Sequence, residues 1–222
     1  MLDKKEVLQA ILDRKIVAIF RGIDPEKCSP AANAICDGGI SLCEVTFDRA
    51  EKEQGYRSTL KSIRNIIAGA EGRDLLVGAG TVLTTEQVSL AWSAGARFII
   101  TPNINTEVIR LANELGMVTM PGGYTPTELE TAYEAGADLV KIFPAADAGP
   151  GYFKSVRGPL GHIPLVAVGG VDLSNGKAFL DAGAVGLGIG GNLVSKKLIA
   201  AGNYEALTEL AQQYAASVEI NN

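Results

Sequence analysis

Histidine is nearly absent from the 222-residue chain: His162 is the only one. One imidazole leaves too few nitrogen ligands for the usual catalytic zinc sites and no histidine-centred general-base dyad, so no metal is expected. Cysteine is scarce as well. Cys28, Cys36 and Cys43 are odd in number and lack CxxC spacing, which argues against a disulfide framework or a zinc knuckle and leaves reduced, half-buried thiols as the expectation. No apolar run approaches the roughly 20 uncharged residues of a membrane span. The net charge of -5 is spread without a basic cluster, so nucleic acid is not an expected partner. Met1-Leu2-Asp3-Lys4-Lys5-Glu6 interleaves acids and bases with no apolar core, unlike a signal peptide, and a cytoplasmic protein is expected. Linkers, low-complexity tracts and composition breaks are missing too. With 47% hydrophobic and 20% charged residues, the chain reads as one domain over residues 1–222.

What is present is a repeating unit. An amphipathic stretch ends in a glycine turn, a short β-rich run follows, and a polar or glycine-containing loop leads on. The clearest turns are Asp37-Gly38-Gly39-Ile40, Ala94-Gly95-Ala96, Leu115-Gly116-Met117, Ala135-Gly136-Ala137 and Ala182-Gly183-Ala184. Glycine just past a helix supplies the left-handed C-cap, so each turn marks a helix handing over to a strand. The pattern predicts strands near 16–20, 41–47, 75–79, 97–101, 117–120, 138–143, 164–168 and 185–189. Eight strands alternating with helices predict an α/β fold of the (β/α)8 TIM-barrel type. The competing open, doubly wound sheet lacks its GxGxxG turn after the first strand. An amphipathic segment at 3–15, with Val7, Ile11 and Leu12 on one face, is placed to cover the barrel floor, and another at 203–218 closes the chain.

Active groups of such barrels sit at the C-terminal strand ends, which directs attention to polar residues within apolar runs. Lys141 lies in Leu139-Val140-Lys141-Ile142-Phe143-Pro144. Desolvation disfavours the ammonium, which frees the amine to attack a carbonyl; the competing reading is a structural lysine paired with a carboxylate such as Glu44. Glu44 interrupts Leu42-Cys43-Glu44-Val45-Thr46, and period-two alternation puts it on one face with Leu42 and Thr46, as Lys141 lies with Leu139 and Phe143. A carboxylate sharing the barrel interior with an amine suits Schiff-base chemistry, which needs a nucleophile and a proton carrier; a buried salt-bridge partner is the alternative. Arg21 ends the first strand, where it could hold a carboxylate by a bidentate fork or simply sit in solvent. Thr81 follows the third strand and Pro102 the fourth. Pro102 and Phe143 otherwise read as packing residues, although an apolar wall beside Lys141 would help keep its amine neutral. Gly169 and Gly170, after the seventh strand, and Gly190 and Gly191, after the eighth, bare their backbone N–H groups where barrels bind phosphate, so an anionic substrate tail is expected.

Taken together, these residues resemble the 2-dehydro-3-deoxyphosphogluconate and 4-hydroxy-2-oxoglutarate aldolase family, which includes 2-dehydro-3-deoxy-6-phosphogalactonate aldolases. The resemblance runs from about Ile16 to Val194. It rests on Glu44-Val45-Thr46, Gly78-Ala79-Gly80-Thr81-Val82, Thr101-Pro102-Asn103, Pro121-Gly122 and Lys141-Ile142-Phe143-Pro144. It implies a trimeric, metal-independent class I aldolase without a cofactor, which cleaves a 2-keto acid to pyruvate and an aldehyde. Lys141 would form the Schiff base and Glu44 shuttle protons. Thr81, Pro102 and Phe143 would line the pyruvate pocket, and Gly169, Gly170, Gly190 and Gly191 the phosphate end. Arg21, in Ile19-Phe20-Arg21-Gly22-Ile23, and Thr101-Pro102-Asn103-Ile104 resemble the phosphogalactonate branch. Two departures stand out. Phosphogluconate-type members often carry arginine four positions after the glutamate, where this chain has Asp48 and then Arg49, so carboxylate binding is expected to rest on Arg21, with Arg49 at most a helper. Many relatives have serine at the position of Gly191, which here precedes Asn192; the missing hydroxyl favours a shorter, unphosphorylated acid. A sugar-phosphate isomerase or epimerase with Glu44 as base, and a non-catalytic sugar-acid binder, are the competing readings.

Overall fold

The computed structural model describes residues 2–218 except Gly55 and Glu71. Eight parallel strands form a closed barrel among the described residues: β1 (Ile16–Phe20), β2 (Leu42–Thr46), β3 (Leu76–Gly80), β4 (Phe98–Ile100), β5 (Val118–Met120, resumed at Gly122–Gly123), β6 (Val140–Ile142), β7 (Leu165–Val168) and β8 (Gly186–Ile189). Each predicted strand is present with its ends displaced by two residues or fewer, apart from β5, which the sequence pattern ends at 120. Proline lacks an N–H but keeps its carbonyl, and Pro121 accepts the Lys141 N–H at 2.9 Å, so β5 runs through it. Its first part pairs with β4 (Phe98↔Val118) and its second with β6 (Gly122↔Lys141). This broken strand closes the barrel.

The glycine turns do what the spacing predicts. Gly39, Gly95, Gly116, Gly136 and Gly183 all have positive φ, reaching 100° at Gly95, where a side chain would strain the backbone. Alternation then sorts each strand's residues. Cys43, Val45, Val140 and Ile142 face the surrounding helices, whereas Leu42, Leu76, Phe98, Val118 and Leu139 point inward. The cysteines differ from the expectation of half-buried thiols: Cys28 and Cys43 are fully buried and only Cys36 is partly exposed, all three being free. Burial pushes the Cys28 thiol up to about 11 and raises Cys43 as well, which makes them apolar packing groups.

Helix α1 (Lys4–Arg14) closes the barrel floor. Its start is held by a reciprocal cap in which the Glu6 N–H donates to Asp3 Oδ1 at 2.9 Å and the Asp3 N–H to Glu6 Oε2 at 2.7 Å. Val7 and Ile11 join the inward cluster of Leu42, Phe98 and Val118, with Leu12 packed partly buried beside it. The segment predicted at the end of the chain is a helix over Tyr204–Ser217 that buries Leu207, Ala211 and Tyr214. It lies on α2 (Pro25–Asp37), where Thr208 Oγ1 donates to the Ala34 carbonyl at 2.9 Å. No described helix is long and apolar enough to cross a membrane.

One polar cluster pins the floor helix to the closing strand. Lys4 Nζ lies 2.9 Å from Asp138 Oδ2. The same carboxylate oxygen accepts the Thr119 N–H at 2.8 Å and its hydroxyl at 3.0 Å. Thr119 is fully buried, so removing Asp138 strands a backbone donor away from water. Asp138→Ala should therefore lower stability by about 2 kcal/mol, a fall of roughly 4–8 °C in melting temperature for a chain of this length. Thermal denaturation of the variant checks this, and an unchanged midpoint would remove the clamp from the account.

Candidate active site

At the C-terminal mouth of the barrel the strand ends surround a cavity of about 450 Å³. Arg21, Glu44, Thr81, Pro102, Lys141, Phe143, Gly169, Gly170, Gly190 and Gly191 all line it, so the ten residues singled out in the sequence converge on one site. Ile19, Val168, Val171, Gly188 and Asn192 complete the wall. The inward alternation of β1 and β7 carries a signal for Ile19 and Val168. Asn192 is a polar residue in a glycine loop, and nothing in the spacing separates it from an ordinary turn residue. Arg49 is not part of this cavity. It begins the short 3-10 turn Arg49–Gln54 and faces a neighbouring hollow that shares only Thr81 with the main one.

Lys141 and Glu44 are 7% and 3% exposed, and both are side chains that normally remain in water. Burial lowers the Lys141 pKa; Glu44 works against that shift and Arg21 adds to it. Burial likewise pushes Glu44 up to about 7, against the pull of Lys141 and Arg21. Among the described residues no carboxylate lies within 4.0 Å of Lys141 Nζ, so the salt-bridge alternative for this lysine is not what the fold builds. Instead Nζ sits 4.8 Å from the centroid of the Phe143 ring, whose face favours a cation only weakly compared with a carboxylate. Glu44 Oε2 is buried without a hydrogen-bond partner. A buried acceptor in that state is costly in a structural role, and it is available to a water or a substrate hydroxyl.

Glycine makes room for both groups. A methyl group at Gly80 would stand 1.5 Å from Glu44 Oε1, so the carboxylate occupies the space that any side chain there would fill. A methyl at Gly122, the register partner of Lys141, would stand 2.8 Å from the Thr101 carbonyl oxygen and 2.9 Å from the Pro102 backbone. Pro102 can thus approach the Lys141 strand closely. Gly169, at φ 96°, would place its Cβ 2.9 Å from the Phe143 ring, so this glycine lets the ring stand over the cavity. By contrast, Gly190 and Gly191 have no protein atom within 4 Å of where a Cβ would be. Their bareness is not demanded by the fold around them, and it leaves the backbone open to a ligand.

Thr81 is the strained member of the set. Its φ of 55° is unusual for a β-branched residue and costs on the order of 1–3 kcal/mol. Ladder bonds on either side hold it there: the Gly80 carbonyl accepts the Phe47 N–H at 2.8 Å, and the Val82 N–H donates to Ile100 at 3.3 Å. Arg21 is exposed at the mouth and makes no ion pair among the described residues, which leaves its guanidinium free for an anion.

The raised Glu44 pKa has a stability consequence of definite sign. Between its unfolded value of about 4.3 and its folded value of about 7, the folded chain holds more protons than the unfolded one. Stability from this group is therefore present at low pH and declines as pH rises through that window. Glu44→Gln removes the decline. The variant should match wild type near pH 4 and exceed it above pH 7.5 by roughly 3 kcal/mol, as read from denaturant midpoints at the two pH values; a variant less stable than wild type at the higher pH would contradict the burial cost.

The family model for KDPG and KHG aldolases matches residues 7–210. The 2-dehydro-3-deoxy-6-phosphogalactonate aldolase of Escherichia coli K12 is 39% identical over 205 residues, covering 92% of this chain and 93% of that one. Among solved structures, the KDPG aldolase of Legionella pneumophila, with pyruvate captured at low pH as a covalent carbinolamine, superposes with a TM-score of 0.81 at 26% identity, covering 92% of this chain and 96% of that one. A designed cube-shaped cage, made by fusing symmetric oligomeric domains, matches with a TM-score of 0.80 at 35% identity over 92% of this chain and 72% of its own. The chain is thus a (β/α)8 member of the KDPG and KHG aldolase family, a family of carbon–carbon lyases.

Proposed function

We propose that this protein is a Schiff-base aldolase that cleaves a 2-keto-3-deoxy sugar acid, phosphorylated or not, or 4-hydroxy-2-oxoglutarate, to pyruvate and an aldehyde. The observation that carries the reading is the buried, unpaired Lys141 amine in one cavity with a Glu44 carboxyl that titrates near neutral pH. Covalent capture of pyruvate by the Legionella relative supports it.

The Lys141 amine, in its uncharged form, adds its lone pair to the C2 carbonyl of the 2-keto acid. Protonated Glu44 gives its proton to the carbinolamine hydroxyl, which leaves as water, so that an iminium and a Glu44 carboxylate result. Glu44, directly or through a water on its unpartnered oxygen, accepts the C4 hydroxyl proton. The O–H electrons form the aldehyde carbonyl, the C3–C4 bond breaks, and its electron pair enters the iminium to give an enamine. Glu44 then returns a proton to C3, and hydrolysis of the new iminium frees pyruvate and the amine. A carboxyl with a pKa of about 7 holds and releases that proton with little bias at neutral pH, which suits a group acting in both directions. Arg21 takes the substrate carboxylate through its planar fork. Thr81, Pro102 and Phe143 shape the pyruvate end, and the glycine loops receive the anionic tail.

Two wider aspects belong to the same reading. The chain assembles as a homotrimer, in keeping with the likeness to a cage built from symmetric oligomeric domains. It acts in the cytoplasm, in keeping with its three free thiols.

Borohydride reduction in the presence of pyruvate, followed by peptide mass spectrometry, tests the chemistry. A stable pyruvate adduct is expected on the peptide containing Lys141, together with loss of all turnover in Lys141→Ala and no response of wild type to a chelator. Near-wild-type cleavage by Lys141→Ala, or repeated failure to trap an adduct, would transfer the site to isomerase or binding chemistry.

A further inference from the structure

The two glycine loops at the far end of the cavity are held by side-chain amides that take no part in the proposed chemistry. Asn175 Nδ2 donates to the Gly170 carbonyl at 2.9 Å, and its Oδ1 accepts the Asp172 N–H at 2.9 Å. From the other loop, Asn192 Nδ2 donates to the next carbonyl, that of Val171, at 3.3 Å. Asn175 precedes the short helix Gly176–Asp181 yet makes no side-chain cap to it. Its amide is committed to the loop, and it does not line the cavity.

The carbonyl and N–H of a trans peptide point in opposite directions. Drawing the Gly170 carbonyl toward Asn175, which does not line the cavity, turns the N–H of Val171 the opposite way. The distinction matters for an anion, because an inward carbonyl presents partial negative charge and an inward N–H partial positive charge. The loop is also braced from behind: Gly170 has φ 71°, and a Cβ there would meet Ala146 Cβ at 2.5 Å. Among the described residues, the N–H groups of Gly170, Val171, Gly191 and Asn192 donate to no protein acceptor.

We propose that Asn175 is a positioning residue that orients the first glycine loop for a phosphate monoester, while Asn192 ties the second loop to it, so that Asn175 sets the preference for a phosphorylated over an unphosphorylated substrate tail. This rests on the aldolase reading and names the tail that the site selects. It also answers the missing hydroxyl at Gly191: the cradle uses backbone N–H groups held by two amides in place of a serine.

The test compares wild type, Asn175→Ala and Asn175→Asp on a 2-keto-3-deoxy sugar acid bearing a terminal phosphate and on 4-hydroxy-2-oxoglutarate. Binding of inorganic phosphate by calorimetry and borohydride trapping of pyruvate are measured in parallel. Asn175→Ala should raise KM for the phosphorylated acid about tenfold, the effect of losing one oriented hydrogen bond to the loop, with kcat changed less than twofold. Phosphate binding should weaken by a similar factor. Asn175→Asp keeps the acceptor for Asp172 but cannot donate to Gly170 and adds a negative charge, so its KM should rise further. Neither variant should move KM for 4-hydroxy-2-oxoglutarate or the yield of trapped pyruvate. Equal losses on both substrates, an unchanged KM for the phosphorylated acid in Asn175→Asp, or a wild type indifferent to the phosphate would overturn the proposal. If wild type traps no pyruvate while Asn175→Ala still loses phosphate affinity, the aldolase reading fails and the role of Asn175 in anion binding stands.

Discussion

An amine and a carboxylate share a buried barrel interior here without forming an ion pair, and that separation underlies the rest of the site. Had Glu44 closed onto Lys141, the attraction would have held the lysine as an ammonium, with no lone pair to offer a carbonyl. Had the two been far apart, Glu44 could not serve protons to a molecule bound at Lys141. Desolvation is the leading influence on both groups, and their mutual attraction opposes it without cancelling it. Burial thus shifts Lys141 toward the uncharged amine, beside a carboxyl that exchanges its proton near neutral pH.

The burial has a structural source below the site. Leu42, Leu76, Phe98, Val118 and Leu139 fill the lower barrel, and Val7 and Ile11 of α1 seal it. Small residues then open space above this plug. Gly78 clears the Phe98 ring, since a Cβ there would lie 2.2 Å from a ring carbon, and Gly80 clears the Glu44 carboxylate. The closing strand does related work for the lysine: the Pro121 carbonyl holds the Lys141 backbone, and Gly122 admits Pro102 beside it. Stability and chemistry thus draw on the same strands, with packing concentrated at the floor and uncompensated polar groups at the mouth.

Much of this was legible in the sequence because it depends on short-range rules. Strand alternation places Glu44 with Leu42 and Lys141 with Leu139, and the glycine turns mark each return to the barrel. A charged residue inside an apolar run then signals chemistry. Other features depend on distances across the fold that spacing does not encode. The passage of β5 through Pro121 needs the Lys141 N–H as a neighbour. The exclusion of Arg49 from the cavity follows from the 3-10 turn that carries it aside, although it adjoins Asp48 in sequence. Asn175 and Asn192 look like ordinary turn residues until their amides are seen to meet consecutive carbonyls of one loop.

The central claim, that burial lowers the Lys141 pKa and so favours the uncharged amine while Glu44 partly opposes the effect, is most directly tested by NMR titration of the lysine side chains. One resonance, missing from Lys141→Arg, should titrate below the ordinary lysine value of about 10.4 and move lower still in Glu44→Gln, where the opposing charge is gone. A Lys141 resonance with an ordinary midpoint, or one that rises when Glu44 is neutralised, would contradict the account.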